Sequence, residues 1–209
     1  MAAEFDSREI SAKYDRFARW YDSIECIPNL LGVGRLRRSL LSRASGRVLE
    51  VAVGTGKNLP YYPHGCRITA MDVSSKMLKI AGERAAKLSM PVSFSLADAE
   101  ILPFAGHCFD TVVSSLSACT FPNPGGAFRE MARVCRPNGK ILLLEHGRSD
   151  RERLGGWQDR HADRFAKPVG CHWNREPLEL VQQAGLKVVR ARRTFFGIFH
   201  QIEAIPSTG

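Results

Sequence analysis

The sequence predicts an α/β fold, a mostly parallel sheet flanked by helices and finished by a hairpin. Three observations carry this. Short apolar runs alternate with amphipathic stretches from residue 47 onward, the pattern of strand–helix crossover units. A glycine-rich turn in "LEVAVGTGKN" (49–58) follows the first apolar run. Two β-type runs, 186–194 and 197–206, meet at a tight connection around Phe196-Gly197, which sets one strand antiparallel.

The elements follow in order. Residues 1–45 read as helices ahead of the first strand. In "VGRLRRSLLSR" (33–43), Val33, Leu36, Leu40 and Leu41 form a stripe, with Arg35, Arg37, Arg38 and Arg43 mostly off it. Such a helix is expected to pack on its own sheet; a helix lying on anionic lipid is the alternative. "RVLEVAV" (47–53), "RITAMD" (67–72), "VSFSLAD" (92–98), "FDTVVSS" (109–115) and "KILLLE" (140–145) read as strands. "KMLKIAGERAAKL" (76–88) reads as a helix with Met77, Leu78, Ala81, Ala85 and Leu88 on one side. "GGAFREMARVC" (125–135) reads as a helix stopped by "RPNGK", where Pro137 and Gly139 supply a break and a turn. Residues 147–175 are polar with interspersed Trp157, Phe165 and Trp173, a candidate cap over a site.

A chain of 209 residues with 44% apolar content suffices for one well-packed domain. The net charge of +9 favours anionic partners, yet no run of five like charges occurs, so a solvated arginine-rich surface is the plainer reading. Cysteines 26, 66, 108, 119, 135 and 171 form no CxxC pair, so no metal-ligand set is predicted, and reduced thiols in a cytosolic setting are. Cys119 and Cys135 are expected to pack as small hydrophobes. "MAAEFDSREISAKYDRF" has no apolar stretch of a secretory signal, and "ILLLE" is too short to span a bilayer. A cytoplasmic protein is expected, peripheral contact with a membrane being compatible with its charge.

The glycine loop discriminates among three ligand chemistries. A phosphate-binding loop needs Gly-x4-Gly-Lys-Ser/Thr; aligning Gly56-Lys57 puts Val51 and Asn58 at its two ends, so it fails twice. A dinucleotide fingerprint, G-x-G-x-x-G/A, meets Leu59 and then Pro60 at its third position. The third chemistry fits better. Glu50 would repel a phosphate but suits an ammonium, and glycines let the backbone approach a ligand. The helix expected to follow would point its amides at a carboxylate. Asp72, 22 residues on, can accept from two ribose hydroxyls, and Asp98 can accept an adenine amine. Acids ending three strands line the edge of an open sheet, where ligands bind in such folds.

Here the chain resembles the class I S-adenosylmethionine-dependent methyltransferases, over about residues 14–205. "VLEVAVGTGKN", "MDVSSKML", "ADAEILPFAGHCFD" and "REMARVCRPNGKILLLE" match in order and spacing. "YDRFARWYD" (14–22) looks like the ubiquinone/menaquinone-biosynthesis branch. "SLSACTF", "LLLEHG" and "GCHWNRE" look most like a branch of thiol methyltransferases and phosphatidylethanolamine N-methyltransferases. The resemblance implies a Rossmann-like seven-stranded sheet with helices on both faces and S-adenosyl-L-methionine over the first four strand ends. It implies one domain over 1–209: an N-terminal helical lid (1–45), a cofactor core (46–146), a cap and helix (147–180) and a hairpin (186–206). Glu50, Gly54 and Gly56, with Ala52 and Asn58, would hold the methionine end. Asp72 would hold the ribose, Val73 and Met77 would flank the adenine, and Asp98, Ala99 and Glu100 would lie at its edge. Ser115 and Leu116 would face cofactor and substrate, and Tyr14 and Tyr21 would fold over the site. The family usually has glycine at Ala52; alanine is tolerable there if its φ is negative.

Methyl transfer from a sulfonium needs positioning above all. A thiolate or neutral amine needs little acid–base help, whereas a phenol or acidic carbon needs a base. His146, directly after the fifth strand, is the preferred base; His161 and His172 in the cap are weaker candidates. His64 and His107 fall in turns, and His200 on a terminal strand reads as structural. Tyr14, Phe17, Trp20 and Tyr21 could favour a cation by cation–π attraction. Asn174 and Arg175 could bind an anionic head group. The leading function is methylation of a small, hydrophobic or lipid-like acceptor: an amine, a thiol or a quinone-precursor ring. An RNA-directed enzyme lacks the expected tetrapeptide at "SLSACT". A non-catalytic adenosyl-binding partner subunit is a third reading. A nicotinamide oxidoreductase is a fourth, weakened by Leu59 and Pro60.

Overall fold

The computed structural model describes residues 6–24 and 32–207. Cys26, the Trp20 side chain and the first five residues of the charged N-terminal run lie outside what it describes. The strands are β1 (Arg47–Val51), β2 (Arg67–Asp72), β3 (Val92–Leu96), β4 (Phe109–Ser115), β5 (Cys135–His146), β6 (Leu186–Thr194) and β7 (Phe199–Pro206). They form one seven-stranded sheet in the order β3-β2-β1-β4-β5-β7-β6. Every neighbouring pair is parallel except those involving β7, which runs antiparallel between β5 and β6. The order turns back between β1 and β4. That topological switch leaves a crevice at the carboxyl ends of the strands, the place where open α/β sheets bind ligands.

Successive strand residues feed opposite faces of the sheet, as a period of two requires. Leu49, Val51, Val112, Ile141 and Leu143 belong to one buried cluster. Val48, Val113, Leu142 and Leu144 belong to the other. The helices α1 (Ser7–Ile24), α2 (Gly34–Leu41), α3 (Ser75–Lys87), α4 (Pro124–Val134), α5 (Glu152–Val169) and α6 (Pro177–Gln183) surround this sheet. Phe128 and Met131 of α4 and Val181 of α6 fill the first cluster, while Leu40 and Leu41 of α2 and Ala81 and Ala85 of α3 fill the second. The apolar stripe of α2 therefore covers its own sheet. Its arginines do not all stay outside: Arg37 is buried. On α3, Leu88 sits at the C-cap and is 40% exposed, outside the face formed by Met77, Ala81 and Ala85.

Two boundaries differ from the sequence reading for physical reasons. "RPNGK" is no open turn: α4 ends at Val134 and the chain enters β5 at once. The pairing of β4 with β5 shifts register between Phe109 and Thr111, a bulge that absorbs the extra residues. Gly139 is required there, because a Cβ would sit 2.7 Å from Cys135 Sγ and 2.9 Å from the Asp110 carbonyl. After the glycine loop comes only a 3-10 turn, Leu59–Tyr61, with Pro60 inside it, instead of a helix aimed at a ligand. The connection between β6 and β7 runs through three left-handed residues, Phe195, Phe196 and Gly197.

Phe128 is fully buried where α4 meets the sheet. Phe128→Ala is expected to cost about 3–5 kcal/mol, measured as a lower urea midpoint at unchanged slope.

Candidate functional site

A cleft of about 810 Å³, its open mouth included, lies at the switch point, within the ordinary range for small-molecule sites. Its floor is a set of carboxylates that the strands deliver to one edge. Glu50, near the end of β1, is 2% exposed. Its Oε1 accepts from Asn58 Nδ2 at 2.8 Å and its Oε2 from the Tyr62 hydroxyl at 2.9 Å. Arg37 Nη1 in turn donates to Asn58 Oδ1 at 2.6 Å. Burial pushes the Glu50 carboxyl up to about 7, against the opposing pull of Tyr62, Asn58 and Arg37.

Asp72 ends β2. Its Oδ2 accepts from the Gly54 N–H at 2.8 Å and its Oδ1 from the Ser74 N–H at 2.9 Å. Burial raises it to about 6, the backbone donors holding it lower than burial alone would. To bring the Gly54 N–H to Asp72 and the Val53 N–H to the Met71 carbonyl at 2.9 Å, the chain must turn sharply after β1. Ala52 absorbs that turn with φ of +54°. The negative φ expected for this alanine is therefore not what the loop allows, and the left-handed backbone costs it about 1–2 kcal/mol. Leu116, at the exit of β4, is likewise left-handed, with φ of +56°. Both strained residues line the cleft, where such strain gathers in functional sites.

The two loop glycines differ. A Cβ on Gly54 would meet nothing within 4 Å, so this residue lies open to the cleft wall. A Cβ on Gly56 would sit 2.9 Å from Leu59 Cδ1 and 3.3 Å from Ala81 Cα. Gly56 is thus a packing residue against α3 and does not line the cleft.

Helix α1 covers the mouth. Ile10, Tyr14 and Tyr21 line the cleft from above, and Lys57 from the loop lies 5.8 Å over the Tyr21 ring. Ser11 Oγ donates to the Val73 carbonyl at 2.9 Å, and Ser74 Oγ donates to Asp15 Oδ1 at 2.5 Å. Ser74 also caps α3, accepting from the Met77 N–H at 3.1 Å. One serine therefore ties helix, strand end and lid together.

Of the sequence-predicted residues, the structure brings Tyr14, Tyr21, Glu50, Ala52, Gly54, Asn58, Asp72, Val73, Met77, Asp98, Ala99, Ser115 and Leu116 together along the cleft. Glu100 is not among its lining; its Oε1 accepts from the Asn123 N–H at 2.6 Å. Arg37, Thr55, Lys57, Thr120 and Phe121 also line the cleft, although sequence reasoning misses them. Thr55 and Lys57 lie inside the glycine loop, whereas nothing in the α2 pattern marks Arg37.

The histidines lie elsewhere. His146, His161 and His172 are not among the cleft residues. His146 Nε2 is 3.5 Å from Cys171 Sγ, and His161 Nδ1 is 2.8 Å from the Trp157 carbonyl of its own helix. Burial holds His200, on β7, down at about 4. Residues 147–175 do not line the cleft either. Phe165 stacks on Trp173 at 3.9 Å, and Gln158 binds the Ser149 N–H and the Gly147 and Trp173 carbonyls. Arg175 Nη1 donates to the Ala118 and Phe121 carbonyls, and Asn174 to Asp159, so neither is posed for a head group. Arg175 acts with Glu145, whose carboxylate accepts from Ser114 Oγ at 3.0 Å and from the Ser117 and Ala118 N–H groups at 3.0 and 3.1 Å. Together they fix the segment carrying Ser117, Thr120 and Phe121 to the cleft wall.

The residues fit a zwitterionic adenosyl ligand. The cleft offers carboxylates at the ends of β1 and β2 and an open glycine wall at Gly54. It also offers the buried Ser115 hydroxyl, which has no hydrogen-bond partner among the described residues.

Comparisons with known proteins agree. Residues 49–143 match the family model of a methyltransferase domain. The chain is 28% identical to the mitochondrial methyltransferase OMS1 of Saccharomyces cerevisiae, over 91% of this chain and 45% of that protein. It is 39% identical to a phosphatidylethanolamine N-methyltransferase of Cereibacter sphaeroides, over 61% of this chain and 63% of the relative. It is 34% identical to a demethylmenaquinone methyltransferase of Renibacterium salmoninarum, over 68% and 62%. The chain thus spans between 45% and 63% of the length of these relatives. Among solved structures, the [4+2]-cyclase SpnF has the same fold, with a TM-score of 0.78, 18% identity and coverage of 100% and 99%. So has geranyl diphosphate C-methyltransferase of Streptomyces coelicolor, with a TM-score of 0.67, 14% identity and coverage of 84% and 79%. The motifs on the strand ends that build the cleft thus lie in a segment, residues 49–143, that is similar to a methyltransferase domain.

Proposed function

We propose that the protein transfers a methyl group from S-adenosylmethionine to a small, hydrophobic or lipid-like acceptor whose attacking atom is an amine nitrogen or a thiolate sulfur. The observation that carries this is the make-up of the cleft: among the described residues its lining holds carboxylates and aromatic rings but no histidine. S-adenosylmethionine, when bound, supplies an electrophilic methyl on a positively charged sulfur. Glu50 and the loop through Asn58 would hold its amino-acid end, Asp72 the ribose, and Val73, Met77 and Ala99 the adenine. Tyr14, Tyr21 and Ile10 exclude water from above, which suits a reaction that disperses charge. A neutral amine or a thiolate attacks without a base, whereas a ring carbon needs one, and on this reading the cleft carboxylates Glu50, Asp72 and Asp98 are engaged by the cofactor. The apolar Phe121 and Pro122 on the wall, and relatives named for phosphatidylethanolamine and demethylmenaquinone, support a lipid-like acceptor. Among the described residues no helix is long and apolar enough to cross a membrane.

Calorimetric titration with S-adenosylhomocysteine tests the cofactor. Wild type is expected to bind, and Asp72→Ala, folded by circular dichroism, to bind about 3 kcal/mol more weakly, roughly a hundredfold. Binding unaffected by this change would remove the proposed site. Turnover with amines and thiols but not with quinone-precursor rings is the expected outcome of an acceptor panel.

The pH dependence has a definite sign. A bound ammonium favours ionised Glu50, and ribose donors favour ionised Asp72, groups that sit at about 7 and about 6 in the ligand-free protein. Affinity should therefore rise with pH up to about 7 and fall above about 8, as the ligand's own amine loses its proton. Stability of the ligand-free protein runs the other way. Both carboxyls are raised on folding, so their contribution is full below the unfolded values and is lost as pH rises through about 6 and 7.

The glycines separate packing from binding. Gly56→Ala should cost about 1–3 kcal/mol of stability through its clash with Leu59, its tight approach to Ala81 of α3 and its left-handed φ. Gly54→Ala should cost about 1–2 kcal/mol through its left-handed φ alone, yet weaken adenosyl binding by placing a methyl on the cleft wall. Thermal unfolding and calorimetry on both variants read the contrast.

A further inference from the structure

Outside the cleft, three ligating side chains from three separate segments converge. Cys119 follows β4, His146 ends β5, and Cys171 lies between α5 and α6. One ligating atom from each, the two Sγ atoms and a ring nitrogen of His146, all lie within 4.8 Å of one another. His146 Nε2 and Cys171 Sγ are 3.5 Å apart. Around a tetrahedral zinc ion, with Zn–S near ~2.3 Å and Zn–N near ~2.0–2.1 Å, a sulfur and a nitrogen ligand stand about 3.5 Å apart. The His146–Cys171 pair therefore has the spacing of two ligands on one ion, and Cys119 lies close enough to join them.

Each ligand is also held in place. The Cys119 segment is gripped from both sides, by Glu145 at the Ser117 and Ala118 N–H groups and by Arg175 at the Ala118 and Phe121 carbonyls. The His172 N–H donates to the Cys119 carbonyl at 2.9 Å, which brings the neighbouring Cys171 alongside. His146 is paired to Phe199 of β7 in the sheet. Cys171 follows Gly170, whose left-handed backbone ends α5. Ligands on fixed backbone lose little freedom on binding a metal.

We propose that Cys119, His146 and Cys171 bind one thiophilic divalent cation, Zn2+, through two thiolates and a neutral imidazole, with the fourth position open to water. Each thiol gives up its proton to solvent, so two thiolates balance the +2 charge of the ion. Two cysteines and one histidine with an open position make up a known type of catalytic zinc set. Thr120 and Phe121, immediately after Cys119, line the cleft, so the ion would sit behind the wall facing the acceptor. The site does not depend on the methyltransferase reading, because metal binding is read without turnover.

Cobalt is the spectroscopic probe. Reduced protein stripped with a chelator is titrated with Co2+. One equivalent should produce a thiolate-to-cobalt charge-transfer band and tetrahedral visible absorption, both abolished by added Zn2+. Cys119→Ser, Cys171→Ser and His146→Ala should each weaken cobalt binding more than about 100-fold, beyond the ~10–100-fold that losing an outer-shell partner typically costs, while Cys108→Ser binds as wild type. Circular dichroism and S-adenosylhomocysteine binding report that each variant is folded. If a variant does not fold, wild type alone suffices: Zn2+ should slow alkylation of Cys171 by iodoacetamide, read by peptide mass. No charge-transfer band at saturating Co2+, a band undiminished in both serine variants, or alkylation indifferent to Zn2+ would each overturn the site.

Discussion

The fold turns on what it does with buried carboxylates. Glu50, Asp72 and Glu145 all sit at the carboxyl edge of the sheet, each 6% exposed or less. An ionised carboxyl without partners would cost several kcal/mol there. Each instead collects donors from the chain that leaves its strand or a neighbouring one. Glu50 organises Asn58 and Tyr62, Asp72 draws in Gly54 and Ser74, and Glu145 draws in Ser117 and Ala118. The loops that form the cleft take their shape from these hydrogen bonds. The left-handed backbone of Ala52 and Leu116 follows from that arrangement. Neither residue favours such a conformation by itself, so the surrounding contacts impose it.

The lid obeys the same logic. Asp15 of α1 reaches the cap of α3 through Ser74, and Ser11 reaches the backbone of Val73. These attachments join polar groups on an otherwise amphipathic helix to the residues that follow Asp72. Lys13 also donates to the Lys167 carbonyl of α5. Residues 147–175 thus meet the lid from behind and brace it, taking no direct part in the cleft wall.

Much of the fold is legible in the sequence because its signals are local. Period-two runs mark the strands, and apolar stripes mark α2, α3 and α4. The acids at strand ends are visible for the same reason: a carboxylate closing an apolar run stands out. What is not legible depends on contacts between distant segments. The sign of φ at Ala52 is set by Asp72 and Met71, not by neighbours in sequence. Gly56 belongs to the packing of α3, and only Ala81 reveals it. Arg37 looks like any outward arginine until α2 is laid beside Asn58. Cys119 is buried, as a small hydrophobe is expected to be, but its nearness to His146 and Cys171, each some 25 residues from the next, is not visible in the sequence. The helix expected after the glycine loop does not form, because Pro60 and the pull of Glu50 on Asn58 and Tyr62 hold that stretch to a single 3-10 turn.

The sheet order also bears on how the molecule is made. β6 is flanked in the sheet by β7 alone, and β7 joins it to β5. As the chain leaves the ribosome, β6 emerges before the strand that holds it. Until β7 inserts between them, β5 presents an open edge of Leu142, Leu143 and Leu144, and β6 has nothing to bond. Such open edges invite pairing with other chains. The hairpin at Phe195, Phe196 and Gly197 shortens that exposure by making β6 and β7 neighbours in sequence, so that the two can add to β5 as one preformed unit.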